Sequence, residues 1–236
     1  MQPYILFGIT LKNQMMKTIN LIQKLFFINA VVYLILLSIE CPFAPFFKAL
    51  IVLILMAKVV FQEPFPTKKI VLYALFFSWL GDVLLIFNTK SALFFIFGLV
   101  GFLISHVFYC LTFIQQKNAA VLPLKLQLMV AICFTIYFFY ILSILYPYLG
   151  TLKIPVIVYA MVITFMGFFG LKISLYVYKN DHFNITIGAV LFVFSDSILA
   201  INKFATPIQN GNFIIMLSYI LAQYLLISGI IKQNKH

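Results

Sequence analysis

The feature that most constrains the fold of this chain is a near-continuous succession of apolar stretches, each about 18 residues or longer. Of the 236 residues, 64% are hydrophobic and 9% are charged, whereas soluble domains carry about 25% charged residues. In lipid, such stretches satisfy their backbone polar groups by forming helices. The sequence therefore predicts an all-α polytopic membrane bundle and leaves no room for a sizeable domain outside the bilayer.

Eight transmembrane helices are predicted, because eight apolar stretches are separated by short breaks rich in Pro, Asn, Lys or Gly. The predicted spans lie near 21–39, 43–61, 69–87, 92–115, 124–146, 154–177, 184–202 and 211–231. The connections are short, so neighbouring helices are expected to run antiparallel. We predict one transmembrane domain over 21–231, an N-terminal cytoplasmic segment over 1–20 and a cytoplasmic tail over 232–236.

The basic residues are all lysines, and the chain has a net charge of +11. Nucleic-acid binding is one interpretation of that charge, but the lysines lie at span ends, which is typical of loops that fix orientation in a membrane. Eight spans put both termini on one side, which collects twelve lysines, whereas the other side collects four. The positive-inside rule then predicts cytoplasmic termini. We expect a multi-pass protein of the bacterial inner membrane that binds no nucleic acid.

Two carboxylates lie within the predicted spans, although the chain has only five acidic residues. Asp82 belongs to the segment SWLGDVLLIFN (78–88), and Asp196 belongs to GAVLFVFSDSILAINKF (188–204). An ionised Asp at the centre of a bilayer costs about 2.5–3.5 kcal/mol on insertion scales, and intramembrane carboxylates usually face a functional cavity. Capping of a broken helix, or pairing with a buried lysine, is the structural alternative for each of them.

The segments around the two carboxylates suggest a parallel repeat of four helices plus four. An Asn follows each Asp by six residues, and Tyr109 and Gln223 each follow their Asp by 27 residues, on the next helix. Four is an even number, so the copies would be related by an axis along the membrane normal and would bring Asp82 and Asp196 face to face. Chance similarity between apolar helices is the alternative.

A pair of carboxylates at this depth indicates acid/base chemistry. Two nearby carboxylates in a medium of low dielectric constant cannot readily both ionise, so one holds a proton while the other remains a base. Such a pair serves acid-assisted cleavage of acetal-like bonds. Asp82 and Asp196 are therefore the candidate catalytic residues, and the sequence does not distinguish the acid from the base.

Other polar side chains within the spans are weaker candidates. Lys48 and Lys203 either extend to the membrane interface or hold a lipid phosphate and influence an Asp. His106 and Tyr109 are three residues apart on one helix, so both can face one cavity. Two Asp and a His could in principle hold a metal, but the sequence contains no HxxE, ExxH or CxxC element, so no metal is expected.

Taken together, these segments resemble the YhhN family of membrane proteins. The resemblance rests on GDVLL (81–85), FGL (97–99), FLISHVFY (102–109), IPVIVYA (154–160), the Asp196 segment and YILAQYL (219–225). It covers the second to eighth spans in consistent order. Lys48 matches the lysine of a Lys-Pro pair in the family, with Ala49 in place of the proline.

The resemblance implies an enzyme, because the family includes lysoplasmalogenases. These eight-span enzymes hydrolyse the vinyl ether of a lysoplasmalogen to a fatty aldehyde and glycerophosphocholine or glycerophosphoethanolamine. The resemblance further implies no metal or organic cofactor, and essential roles for both Asp residues. The other matched polar residues are expected to line the substrate site: Lys48, His106, Tyr109, Tyr159, Asn202, Lys203, Tyr219 and Gln223. The expected partners are a lysophospholipid substrate and the bilayer; the physiological lipid and the oligomeric state are left open.

The chemistry of vinyl ethers fits the two carboxylates. Hydrolysis begins when an alkene carbon takes a proton and an oxocarbenium ion forms; water then adds, and the resulting hemiacetal collapses. A neutral Asp can supply the proton, and an ionised Asp can stabilise the cation and activate water. His106 and Tyr109 would then orient water or a headgroup.

Two interpretations from other classes compete with the enzyme. A proton-coupled transporter or lipid flippase would also use a parallel repeat and carboxylates at membrane depth, although the sequence has no matched pair of helices broken by Gly or Pro. A structural lipid-binding bundle is the third interpretation. Turnover by protein in detergent separates the enzyme from the transporter, which needs a sealed compartment.

Overall fold

The structure, a computed structural model, describes residues 2–115, 123–176 and 183–234. These residues form helices joined by turns and short irregular segments, without a strand. The helices are α1 (Gln2–Ser38), α2 (Ala44–Val60), α3 (Lys68–Ile86), α4 (Ala92–Ile114), α5 (Leu124–Leu145), α6 (Lys153–Tyr176), α7 (Phe183–Ala200) and α8 (Gly211–Gln233). The prediction of an all-α bundle of eight helices is confirmed.

Seven of these helical segments are long and apolar enough to cross a membrane. The remaining helix, α2, has 17 residues, which is at the lower end of the length that spans a bilayer. An apolar helix in lipid is favoured because every backbone N–H and C=O group inside it is paired within the segment. The chain is therefore an integral, multi-pass membrane protein.

The first helix begins much earlier than the sequence predicts. The apolar pattern predicts a span near 21–39, whereas α1 begins at Gln2 and contains a candidate span over Asn13–Ser38. Pro3 lies in the first turn, where proline is tolerated, and no other proline occurs before Pro42. Nothing therefore interrupts the helical hydrogen bonds. The cytoplasmic location of residues 1–20 stays a prediction.

Two helix ends differ from regular α-helix. After α5, the chain forms two short 3-10 turns, Tyr146–Tyr148 and Gly150–Leu152, before α6 begins. After α7, a wider π-helical turn continues from Ile201 to Ala205, so the candidate span that contains α7 runs from Phe183 to Ala205. Such turns often occur at functional sites, and this one follows the helix that carries Asp196.

Within each half of the chain, helices that follow one another pack as antiparallel hairpins. In the first half α1 packs on α2, α2 on α3 and α3 on α4; in the second half α5 packs on α6, α6 on α7 and α7 on α8. The two halves meet where α4 contacts α6 and where α8 contacts α1 and α2. The 4+4 repeat stays a prediction, because short connections alone also produce hairpin packing.

Glycines let the two helices that carry the carboxylates approach their partners closely. A Cβ atom at Gly101 of α4 would lie 3.1 Å from the backbone N of Gly81 in α3, and a Cβ atom at Gly188 of α7 would lie 2.8 Å from the backbone N of Leu226 in α8. Small residues at such crossings are typical of helix packing in membranes. α8 is the most buried of the candidate spans, and α5 is the least buried.

Some of the residues behind the predicted orientation lie outside the described residues: Lys117, Lys179 and Lys235. The end of the predicted tail, residues 235–236, is outside them as well. The orientation of the termini therefore rests on the sequence alone and stays a prediction.

Candidate active site

A cavity of about 210 Å³ lies between the helices on the side where α3 ends and α8 begins. Side chains from α1, α2, α3, α4, α7 and α8 line it. Its walls are formed by Tyr33, Leu37, Lys48, Asp82, Leu85, Asn88, Phe102, Ser195, Asp196, Leu199, Asn212, Ile215, Met216 and Tyr219. Both intramembrane carboxylates therefore face the same space.

The polar end of this cavity lies at the ends of the helices. Lys48 is in the second turn of α2, Asn88 follows the end of α3, and Asn212 is the second residue of α8. Asp82 is four residues before the end of α3, and Asp196 is four residues before the end of α7, which places each about 6 Å along its helix axis from that end. The two carboxylates lie at similar depth beneath a rim of one ammonium and two amide groups.

Asp82 contacts a cation and a phenol. Its side chain is 2% exposed; Oδ1 lies 3.7 Å from Lys48 Nζ, and Oδ2 accepts a hydrogen bond of 2.6 Å from the Tyr219 hydroxyl. A charge in apolar surroundings is tolerated when it is paired and hydrogen-bonded. The pairing with Lys48 and the bond from Tyr219 together satisfy that condition for an Asp82 carboxylate.

A buried hydrogen-bond network extends behind Tyr219. Gln223 Nε2 donates to Ser78 Oγ at 2.9 Å and to the Tyr219 hydroxyl oxygen at 3.3 Å. The Tyr109 hydroxyl donates to Gln223 Oε1 at 2.6 Å, and Ser78 Oγ lies 2.7 Å from Ser105 Oγ. Such a satisfied network fixes its members in one arrangement, so it holds the Tyr219 hydroxyl in position against Asp82.

Asp196 contacts an imidazole and a second phenol. Its Oδ2 lies 3.0 Å from His106 Nε2 and accepts a short hydrogen bond from the Tyr159 hydroxyl. The Tyr159 hydroxyl also lies 3.1 Å from His106 Nε2, so these three groups form one cluster. Asp196 is 8% exposed. The cluster contains no lysine, which distinguishes it from the surroundings of Asp82.

His106 is fully buried behind Asp196 and does not line the cavity. Among the described residues, its Nδ1 atom has no hydrogen-bond partner. The Phe192 ring packs against the imidazole with ring centroids 4.7 Å apart and against Tyr219 with centroids 5.4 Å apart. The aromatic ring thus lies between the two carboxylate clusters and keeps their hydrogen-bond networks separate.

Two residues predicted for the site lie away from the cavity wall. Asn202 Oδ1 accepts a hydrogen bond of 2.8 Å from the Ile208 backbone N–H, so it braces the loop between the π-helical turn and α8. The Lys203 ammonium lies 4.8 Å from the centroid of the Phe95 ring, and Phe95 stacks edge-on against Phe204. Neither side chain reaches Asp82 or Asp196.

The other predicted residues fall into three positions. Lys48, Asp82, Asp196 and Tyr219 line the cavity. His106 and Tyr159 hold Asp196. Tyr109 and Gln223 lie behind Tyr219. The predicted i, i+3 pair of His106 and Tyr109 thus serves two different clusters, although both side chains point from α4 into the bundle.

Several residues of the cavity and its network are not among those predicted from the sequence. Ser78 lies one helical turn before Asp82 on the same face, so helical spacing was a usable signal for it. Ser195, Asn88 and Asn212 are polar residues beside the carboxylates or at helix ends. Tyr33 had no such signal, because α1 lies outside the segments that carry the family resemblance and the chain has 13 tyrosines.

The donor atoms on the cavity wall suit acid/base chemistry. Two carboxylates, the Lys48 ammonium and three phenols lie on it or beside it, those of Tyr33, Tyr159 and Tyr219. Within residues 2–115, 123–176 and 183–234, no group of three His, Cys, Asp or Glu side chains is placed to hold a metal ion. The cavity can bind a small polar group at its rim. It can also hold a reacting atom between Asp82, which is paired with Lys48, and Asp196.

Comparisons with known proteins cover every helix that lines this cavity except α1. The sequence model of the YhhN family matches residues 43–230. Lysoplasmalogenase TMEM86A of Homo sapiens is 30% identical over 164 residues, which are 68% of this chain and 64% of the human protein. The Bos taurus protein of the same name is 28% identical over 165 residues, 68% of this chain and 65% of its own length. The match thus spans slightly less than two thirds of these relatives. No solved structure matches the chain significantly.

Proposed function

The chain belongs to the YhhN family, and on that premise we propose that it is a membrane hydrolase that cleaves the vinyl ether bond of lysoplasmalogens. The products would be a fatty aldehyde and a glycerophosphocholine or glycerophosphoethanolamine headgroup. The printed names of the human and bovine relatives support this activity class. The observation that carries the proposal is that Asp82 and Asp196 line one cavity in unequal surroundings.

Charge balance assigns different roles to the two carboxylates. Asp82 faces the Lys48 ammonium, so it can remain charged in apolar surroundings. The side chains that contact Asp196 are a phenol and an imidazole, and a second charged carboxylate in the same cavity would repel the first. In the proposed mechanism Asp196 is therefore the general acid, and Asp82 is the carboxylate that stabilises positive charge.

The reaction proceeds in three steps with all protons accounted for. Asp196 transfers its proton to the alkene carbon farther from the ether oxygen, which leaves an oxocarbenium ion at the adjacent carbon. Asp82 stabilises this cation while the ionised Asp196 accepts a proton from the attacking water. This second transfer restores the protonated Asp196. In the third step the hemiacetal hydroxyl loses its proton, the leaving glycerol oxygen gains one, and the carbon–oxygen bond to that oxygen breaks to release the aldehyde and the alcohol of the headgroup.

The rim of the cavity suits the polar part of a lysolipid. Lys48, Asn88 and Asn212 lie at the helix ends, where a phosphate would meet an ammonium and amide donors. With cytoplasmic termini, as the lysine distribution predicts, this rim is on the outer side of the membrane. The substrate would then be a single-chain lipid of the outer leaflet, with its headgroup at the rim and its vinyl ether beside the carboxylates.

The direct test uses purified protein in detergent micelles with lysoplasmenylcholine in heavy water. Hydrolysis by protonation at carbon predicts a fatty aldehyde with one deuterium at the carbon next to the carbonyl, observed by mass spectrometry after immediate reduction to the alcohol. A lysophosphatidylcholine with an ester chain of the same length is the control substrate and should release no aldehyde. Wild-type protein without turnover would contradict the proposal.

A transporter or a passive lipid-binding bundle gives a different outcome in the same experiment. Transport requires two compartments, so it leaves no product in micelles. A lipid-binding bundle retains lysolipid without chemical change. Movement of intact lysolipid across sealed vesicles, together with absence of aldehyde in micelles, would establish transport in place of hydrolysis.

A further inference from the structure

An apolar groove of about 190 Å³ lies on the outer surface of the bundle between α4 and α6. Its α4 wall runs from Ile96 to Leu103, and its α6 side runs from Leu152 to Tyr159. The α4 wall covers about 10 Å along the helix axis, at 1.5 Å per residue. Both Val100 and Val158 are exposed, so the groove opens toward the lipid.

A small void, the neck, lies between this groove and the two-carboxylate cavity. The neck encloses about 20 Å³, roughly the space of a single water molecule. It shares Leu99, Val156 and Tyr159 with the groove and shares Asp196 and Leu199 with the cavity. The groove, the neck and the Asp196 side of the cavity therefore adjoin one another, and the shared side chains would have to move for a group larger than water to pass between them.

Tyr159 lies at the neck. It lines both the groove and the neck, and its hydroxyl donates to Asp196. A group that passes through the neck therefore meets the phenol and the carboxylate together. Rotation of the Tyr159 side chain would widen the neck and would at the same time release the hydrogen bond to Asp196.

We propose that the α4–α6 groove holds the hydrocarbon chain of the substrate, so that the chain enters from the bilayer and its polar end reaches the carboxylate cavity through the neck at Tyr159. The occupant is a single unbranched chain of a lysolipid, because the groove is apolar and is formed between only two helices. The cavity beside it carries Lys48 at its rim, which suits the polar end of such a lipid. The inference rests on the proposed function for the identity of the lipid.

A second apolar groove provides an internal comparison. It lies between α5 and α7, has a volume of about 300 Å³, and is lined by Cys133, Phe134, Tyr137, Val190, Val193 and Phe194. It shares no lining residue with the cavity or the neck. The Tyr137 hydroxyl at its edge bonds Ser197 instead of a carboxylate. The larger groove therefore lacks the shared side chains on which the proposal depends.

Two matched substitutions test which groove holds the chain. Val100 in the α4–α6 groove is 44% exposed, and Val190 in the α5–α7 groove is 45% exposed. Val100→Phe fills the first groove and Val190→Phe fills the second, and both positions face lipid, so both variants should fold. The measurement is kcat/KM for lysoplasmalogens with 16-carbon and 8-carbon chains.

The quantity compared is kcat/KM for the 16-carbon substrate divided by kcat/KM for the 8-carbon substrate. We expect Val100→Phe to lower this ratio about tenfold, which is the smallest change that one methylene group usually makes in an apolar enzyme pocket. The loss should appear mainly in KM. Val190→Phe should leave the ratio at its wild-type value. An unchanged ratio in Val100→Phe, or a lowered ratio in Val190→Phe alone, would overturn the assignment.

A labelling experiment shows which groove holds the hydrocarbon chain, even if the protein does not catalyse the proposed reaction. The probe is an alkyl ether lysophosphatidylcholine with a diazirine at the chain end, which cannot be hydrolysed as a vinyl ether. We expect labelling of residues 96–103 and 152–158 that excess unlabelled lysolipid suppresses. Suppressible labelling confined to residues 133–137 and 190–194, or none at all, would contradict the inference. If wild-type protein is labelled at α4 and α6 but releases no aldehyde, the proposed reaction is refuted, whereas the assignment of the groove as the chain-binding site still holds.

Discussion

Asp82 and Asp196 are the same residue type at similar depth on one cavity, yet their partners differ. Each accepts a hydrogen bond from a tyrosine, Tyr219 for Asp82 and Tyr159 for Asp196. Asp82 also faces the Lys48 ammonium, whereas Asp196 faces the His106 imidazole.

The difference matters because a carboxylate in apolar surroundings keeps its charge when a cation lies beside it. Two carboxylates with identical partners would offer no reason for one to hold a proton. One lysine beside one of them breaks that symmetry. A single ammonium beside one carboxylate is therefore enough to separate the two proposed roles, and two different acidic residue types are not required.

The largest effect should come from neutralising the carboxylates one at a time. Asp196→Asn removes the proposed acid and should lower kcat about 10²–10⁴-fold, the usual contribution of general acid–base catalysis. Asp82→Asn removes electrostatic stabilisation and should lower kcat about 10²–10³-fold. Aldehyde release by protein in micelles measures both.

The exposed Glu40 beside the same end of the bundle provides a matched control. Glu40→Gln makes the same change of carboxylate to amide away from the cavity and should leave kcat unchanged. A fully active Asp196→Asn protein that retains its wild-type melting temperature would contradict the proposed acid. A larger loss for Asp82→Asn than for Asp196→Asn would exchange the two roles.

Removal of the Lys48 ammonium should remove the cation that distinguishes the surroundings of Asp82 from those of Asp196. Lys48→Met leaves Asp82 buried without its cation, so kcat/KM should fall about ten- to a hundredfold, in line with the contribution of a hydrogen-bonded charged group. In the Asp82→Asn background the same substitution should have little further effect on kcat, since the two residues act as a pair, whereas KM should still rise because the ammonium also meets the substrate phosphate. Lys90→Met, at an exposed lysine beside the same helix ends, is the control. Additive losses in kcat would show that Lys48 acts independently of Asp82.

The two tyrosines report the charge of the carboxylate that each of them contacts. A hydrogen bond to a charged group contributes about 1.5–3 kcal/mol and one between neutral groups about 0.5–1.5 kcal/mol. In the resting protein Tyr219→Phe should therefore lower the free energy of unfolding by more than Tyr159→Phe does. The measurement is the fall in melting temperature of each variant, which should be larger for Tyr219→Phe. Equal reductions would mean that both carboxylates have the same charge.

The smallest effect is expected at a residue that contacts neither carboxylate. Asn202 braces the loop before α8 through the Ile208 N–H, so Asn202→Ala should lower the melting temperature by a few degrees, about what loss of one hydrogen bond produces. The kcat value should change by less than about threefold. If Asn202→Ala loses as much activity as Lys48→Met at an unchanged melting temperature, Asn202 contacts the substrate and does more than brace the loop.

The sequence identified the helices well, because a continuous apolar run in lipid has few alternatives to helix. Seven predicted spans begin and end within a few residues of α2 to α8. The first helix begins before the predicted span, since a span is recognised by its apolar length, whereas a helix continues into polar sequence until a residue interrupts it. The two carboxylates were equally visible, because an acidic residue inside an apolar helix is costly.

Only the tertiary structure decided which side chains meet. His106 and Tyr109 share a helix face, but His106 contacts Asp196 and Tyr109 contacts Gln223. Lys48 and Lys203 look alike as lysines at span ends, yet Lys48 faces Asp82 while Lys203 lies over a phenylalanine ring. These pairings depend on how helices rotate and cross, which side-chain packing across the whole bundle sets. The sequence by itself determined that two carboxylates lie in the membrane; helix packing determined that one of them has a cation and the other an imidazole.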